Sequence, residues 1–136
     1  MKLEHIGLCI EYPISAAEWW VANLGFRFIR KLGTDKEGVA FISDTQGTVL
    51  ELGKLAEVPC LNLDNLESIQ LHFAIECDDP VQEAERLVKV GATLTGESPR
   101  NVYKNEKIII KDPWGACIQL INRKDKLEVR ESDISH

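Results

Sequence analysis

HIGLCIEYPISAAEWWVANLG (residues 5–25) and HFAIECDDPVQEAERLVKVG (residues 72–91) are two versions of one segment. Each opens on a histidine, has a proline eight residues later (Pro13, Pro80) and carries an Ala-Glu pair twelve and thirteen residues on (Ala17-Glu18, Ala84-Glu85). Each closes on a glycine, Gly25 or Gly91. A second pair of segments keeps the register, DTQGTVLEL (44–52) against DPWGACIQL (112–120), aligning Asp44 with Asp112, Gly47 with Gly115 and Glu51 with Gln119. From the histidine to that last polar residue is 46 positions in one copy and 47 in the other. A fixed internal period identifies a repeated structural unit, and here there are two.

The unit reads as βαβββ. KLEHIGLCI and SIQLHFAIEC are apolar strands in period two. The helices that follow have capping-box starts: Ser15 as N-cap with Glu18 at N3, then Asp79 as N-cap with Pro80 at N1 and Gln82 at N3. Gly25 and Gly91 suit the left-handed position that ends a helix. Three strands complete each copy: FRFIRKL, GVAFISD and GTVLELG, then ATLTGE, EKIIIKD and GACIQLIN. The stretch from Ser98 to Asn105 follows no clear pattern, and LAEVPCLNLDNLES between the copies reads as a loop. The expected fold is α+β: two tandem βαβββ modules, at 1–53 and 68–123, forming one open mixed-sheet domain with a central cleft. A charged tail at 124–136 follows.

Composition narrows the partners. The 136 residues suffice for one domain, and the 44% hydrophobic and 28% charged content is globular. The net charge of −6, with basic residues scattered, excludes the concentrated positive face that nucleic acid or an anionic membrane needs. No apolar run approaches ~20 residues, and the first residues, MKLEHIGLCI, lack a secretory pattern. Cys9, Cys60, Cys77 and Cys117 show no CxxC spacing, so free thiols in a reducing cytoplasm are expected.

Strand parity isolates four polar residues. Ile6, Leu8 and Ile10, and Leu50 and Leu52, form helix-covered faces, leaving His5, Gly7, Cys9 and Glu51 on the other side. In the second copy Leu71, Phe73 and Ile75, with Ile118 and Leu120, are covered, leaving His72, Ala74, Glu76 and Gln119 opposite. Imidazole and carboxylate bind zinc, nickel and iron, and an amide oxygen fills a further position. His5, Glu51, His72 and Gln119 are therefore the candidate divalent-metal ligands, with Gly7 and Ala74 leaving room for a ligand above the sheet. Glu76 is assigned to the pocket or its rim, and Trp19 and Trp20 to packing. Arg27, Arg30, Arg100 and Lys111 are read as solvated, as is His136.

LEHIGL, GTVLELG, LHFAIE and DPWGACIQL together resemble the vicinal oxygen chelate superfamily, the glyoxalase, bleomycin-resistance and extradiol-dioxygenase group. The last motif is similar to that family's DP-x-G-x-x-x-E/Q-L ending, and the likeness spans residues 2 to about 122. The resemblance implies paired βαβββ modules around a divalent ion (Zn, Ni, Fe, Co or Mn), often in homodimers that share sites. It places His5, Glu51, His72 and Gln119 on the ligand positions of glyoxalase I-like enzymes, in which the metal binds vicinal substrate oxygens and a glutamate moves a proton between adjacent carbons. This chain has Gln119 where those enzymes place the glutamate base. The pseudo-two-fold puts Glu51 in the equivalent position, making it the candidate base. The implied activity is a lyase or isomerase acting on a small α-oxo, α-hydroxy or thiol-adduct substrate. The alternatives within the resemblance are a non-catalytic binder of the bleomycin-resistance kind and, last, a dioxygenase.

Overall fold

The computed structural model of the chain describes residues 1–95 and 107–134. The first module comprises β1 (Ile6–Cys9), α1 (Pro13–Asn23), β2 (Arg27–Gly33), β3 (Gly38–Ser43) and β4 (Val49–Lys54). The second comprises β5 (Phe73–Glu76), α2 (Pro80–Val88), β6 (Thr93–Leu94), β7 (Lys107–Lys111) and β8 (Cys117–Ile121). The sheets have matching strand orders, β1-β4-β3-β2 and β5-β8-β7-β6. In each, the first strand runs parallel to the last, and the remaining pairs are antiparallel. The fold is thus the tandem βαβββ arrangement expected. Gly96, Glu97, Arg100, Glu106, His136 and the stretch from Ser98 to Asn105 lie outside the described residues.

Local chemistry explains why the two copies match. Ahead of β4, the Asp44 Oδ1 accepts from the backbone N–H groups of Gln46 (2.8 Å) and Thr48 (3.0 Å). Ahead of β8, the Asp112 Oδ1 accepts from Trp114 (2.9 Å) and Ala116 (3.0 Å) in the same pattern. Gly47 and Gly115 close these turns at φ +110° and +97°, which a side chain would strain.

Helix starts differ between the copies. Asp79 caps α2 as expected, its Oδ1 accepting from the Gln82 N–H at 3.1 Å. Ser15 does not cap α1, which begins two residues earlier on Pro13. Its first-turn donors are instead taken by Asp35, from the β2–β3 turn. The Asp35 carboxylate accepts from the Ile14 N–H (2.7 Å), the Ser15 N–H (3.0 Å) and the Ser15 hydroxyl. Burial alone would raise the Asp35 carboxyl, but these donors outweigh it and hold the group below the usual aspartate value.

The covered faces of both sheets join one apolar core. Leu8, Ile10, Ala40, Ile42, Leu50 and Leu52 of the first sheet pack in the same cluster as Ile110, Ile118 and Leu120 of the second. Trp20 of α1 is the joint between them. It is buried, stands edge-on to Phe26 and Phe73, and donates from Nε1 to the Asp112 Oδ2 at 2.9 Å. Trp19 Nε1 donates to the Val90 carbonyl (2.8 Å), so both tryptophans pack between modules. The linker is less loop-like than expected: Leu63 is buried in the core within a short 3-10 turn, Leu63–Asn65. No helix among the described residues is long and apolar enough to cross a membrane.

Candidate functional site

The modules share their helix-side core, so the faces bearing the four candidate ligands turn away from it. On the first sheet Gly7 of β1 is the register partner of Glu51 on β4, and His5 lies one residue before the strand. The His5 Nε2 stands 3.2 Å from the Glu51 Oε2. Both side chains are about a third exposed, at 33% and 35%, so this is an accessible pair and not a core histidine. The His5 ring is held at its other nitrogen, Nδ1, 3.0 Å from the Glu4 Oε1, and edge-on against Phe41 at 5.5 Å between centroids. Phe41 is itself the β3 partner of Glu51.

The second sheet repeats the layout. Ala74 of β5 is the register partner of Gln119 on β8, and His72 lies one residue before β5. The His72 Nδ1 donates to the Ser68 carbonyl at 2.6 Å, which leaves Nε2 of the neutral ring bearing its lone pair. Gln119 differs from Glu51 in setting. It is buried, 7% exposed, with buried Ile109, Cys117 and Ile121 on its own and the adjoining strand.

The structure therefore brings one candidate pair, His5 and Glu51, into contact, while His72 and Gln119 hold the equivalent positions on the second sheet, the first exposed and the second buried. Among the described residues no three or more His, Cys, Asp and Glu side chains converge as a metal cluster. The chemistry of the His5–Glu51 pair nevertheless fits a cation. A neutral imidazole has one N–H, yet His5 faces carboxylates at both nitrogens. An imidazolium meets both, and so does a cation seated between Nε2 and the Glu51 carboxylate. Two ligands at ~2.1 Å from a divalent ion, meeting at tetrahedral or right angles, stand ~3.0–3.4 Å apart, which brackets the observed separation. Each histidine also has an oxygen acceptor on Nδ1, the arrangement that orients a ligating ring.

A cleft lies against each module's sheet. One of about 260 Å³ has Glu51, Cys9, Leu55 and Val58 in its wall. Another, of about 360 Å³, lies beside Ala74 and Glu76 and is bounded by tail residues Lys126, Leu127 and Glu128. Glu76 is indeed a rim residue, its carboxylate 2.6 Å from the Lys126 Nζ. Lys111 donates to the Asp64 carbonyl (3.2 Å), while Arg27 and Arg30 are exposed. Parity reasoning on GVAFIS would have found Phe41. Glu4 and Ser68 gave no signal, because each is defined only by the ring it touches.

The fold has many solved counterparts. It is similar to the trypanothione-dependent glyoxalase I of Leishmania major, at 20% identity over 90% of this chain and 86% of that one, with a TM-score of 0.68. A glyoxalase family protein from Bacillus cereus matches at 18% identity over 88% and 92%, TM-score 0.69. Glyoxalase I from Zea mays matches at 22% identity over 91% of this chain, TM-score 0.68, but the chain spans only 45% of that protein. No curated protein sequence matches. The sequence profile described as "Glyoxalase-like domain" matches residues 8–121, nearly the whole repeat. The chain belongs to the glyoxalase-like domain family, within the vicinal oxygen chelate superfamily.

Proposed function

We propose that the chain is a metal-dependent lyase or isomerase of a small α-oxo, α-hydroxy or thiol-adduct substrate, with His5, Glu51, His72 and Gln119 as the metal-binding set. The carrying observation is the His5–Glu51 pair: ligand-type atoms 3.2 Å apart, solvent-accessible, with the ring oriented through Nδ1. Because the His5–Glu51 pair and the His72 and Gln119 positions lie on faces turned from a common core, a homodimer is the partner state that unites them, the first module of one protomer facing the second of its partner. A divalent ion there supplies Lewis acidity toward two adjacent substrate oxygens.

The chain's own residues divide the remaining work. Glu51 takes a proton from one substrate carbon and returns it to the next, since Gln119 has no basic oxygen at neutral pH. The Gln119 amide oxygen serves as a neutral ligand and leaves the site one negative charge short of a two-carboxylate centre. Gly7 keeps the space above Glu51 open: a Cβ there would lie 3.9 Å from the Glu51 Cβ.

Metal analysis of the purified protein, combined with a hemithioacetal isomerisation assay, tests the reading. Stoichiometric divalent metal and turnover abolished by Glu51→Gln, with metal content retained, are expected. A metal-free protein that cannot be loaded, or full turnover by Glu51→Gln, overturns it. A second reading, a non-catalytic small-molecule binder, is favoured by one observation, the absence of a carboxylate at Gln119. It predicts tight ligand binding without turnover or metal.

A further inference from the structure

Cys9 and Cys60 stand 51 residues apart in sequence and meet in space. The Cys9 Sγ donates to the Cys60 Sγ at 3.4 Å, and both residues are half-buried. Their backbones are already docked, because the N–H of Leu61 donates to the Cys9 carbonyl at 2.9 Å. Joining the sulfurs requires closing 3.4 Å to the ~2.05 Å of a disulfide, a movement within reach of side-chain rotation. The surroundings are polar and specific. Glu11 accepts from the Cys60 thiol and pairs with the Lys54 Nζ at 2.6 Å.

We propose that Cys9 and Cys60 are a redox-active thiol pair that closes to an intramolecular disulfide, tying the inter-module linker to β1. Both sulfurs are reachable, Cys9 from the cleft beside Glu51 and Cys60 from a second cleft beside Glu11 and Tyr12. Partial burial, then the Cys9 sulfur, push the Cys60 thiol up to about 11, which keeps it protonated and leaves the first attack on the oxidant to Cys9. With a peroxide as oxidant, the Cys9 thiolate attacks one peroxide oxygen. An S–O bond forms, the O–O bond breaks and hydroxide leaves. Cys60 then attacks the Cys9 sulfenic acid, and the S–S bond forms as the S–O bond breaks, the departing hydroxide taking the Cys60 proton to leave as water. In sum two thiols and one peroxide give one disulfide and two waters, the sulfurs losing two electrons and the peroxide gaining them. The product fixes the linker segment that carries Leu55 and Val58 into the wall of the Glu51 cleft. None of this depends on a metal at Glu51.

The test is to expose the reduced wild-type protein to hydrogen peroxide and, separately, to glutathione disulfide. Intact mass and peptide mapping follow. Expected are a loss of about 2 Da, the mass of two hydrogens, one Cys9–Cys60 linked peptide, and Cys77 and Cys117 recovered as thiols. The Tm should rise by roughly 5–10 °C and return on reduction. In Cys60→Ser the reaction should stop at a Cys9 sulfenic acid, trapped by a dione reagent, or at a Cys9–glutathione adduct. Free thiols at both positions, sulfinic acids without a linked peptide, or a bridge to Cys77 or Cys117 would each overturn the proposal. Mapping on the wild type keeps the test decisive even if a variant does not fold.

Discussion

Trp20 of the first helix donates its indole N–H to the Asp112 carboxylate at 2.9 Å, across 92 residues of sequence and from one repeat to the other. Asp112 thereby serves two structures at once. Its Oδ1 shapes the turn before β8, and its Oδ2 fastens the first module to the second. Trp20→Phe leaves a buried carboxylate oxygen without its donor and should cost about 1–3 kcal/mol. Asp112→Asn, its amide oxygen kept on the turn and its amide nitrogen turned toward the Trp20 indole, sets donor against donor and should cost a similar amount. Urea denaturation measures both. A double variant costing the sum of the singles would show that the contact does not couple them.

Asp35 gives the stability a defined acid limb. Its carboxyl is held below the usual aspartate value, so it stabilises the fold above the unfolded value of ~3.9 and loses that contribution as pH falls through its lowered native value. Asp35→Ala should cost about 1 kcal/mol at neutral pH, the size of a helix-cap loss. It should also flatten the stability profile below about pH 4. Thermal melts of both proteins from neutral pH down to about pH 3 check this. Parallel curves would refute the assignment.

Gly47 and Gly115 occupy equivalent turns but unequal space. A Cβ on Gly47 would meet nothing within 4 Å, whereas one on Gly115 would lie 2.3 Å from the Asp64 Oδ1 and 2.9 Å from the Asp64 backbone N. Gly47→Ala should therefore cost only the strain of positive φ, about 1 kcal/mol. Gly115→Ala should cost more, on the order of 3 kcal/mol, because backbone must move. Chemical denaturation of the two variants ranks them, and equal losses would contradict the geometry.

At the proposed metal site, His5→Ala and His72→Ala should each lower metal affinity by at least ~10-fold, judged from the effect of disturbing even outer-shell partners. Gln119→Glu should tighten metal binding by adding a charge. Competition against a chelator measures all three. Unchanged affinity in either histidine variant would remove that residue from the ligand set.

The repeat was legible because its chemistry is local. Asp44 and Asp112 bond backbone two and four residues ahead, so their offsets survive in the sequence. Strand parity likewise placed Leu50, Leu52, Ile118 and Leu120 on the covered side, and they are buried. The Ser15 cap misled because α1 starts two residues earlier and a side chain about twenty residues away, Asp35, takes its first-turn N–H groups, those of Ile14 and Ser15, and no local pattern encodes that contact. Gln119's burial was hidden too. Alternation assigns a residue to a face but does not say what lies over that face. The pairing of His5 with Glu51 followed from the β1–β4 register, while Glu4, Ser68 and Cys60 acquire meaning only in three dimensions.

The two aspartate turns began as one design and no longer carry equal weight. Asp44's turn stays in solvent; burial drives the Asp112 carboxyl above its ordinary value even as Trp20 and three backbone N–H groups pull it back. The halves are accordingly not interchangeable parts. A chain rebuilt from two second modules would keep both turns but place a leucine, the counterpart of Leu87, where Trp20 stands, stranding the buried Asp112 oxygen, so whatever symmetry the duplication once had, this protein now depends on its being broken.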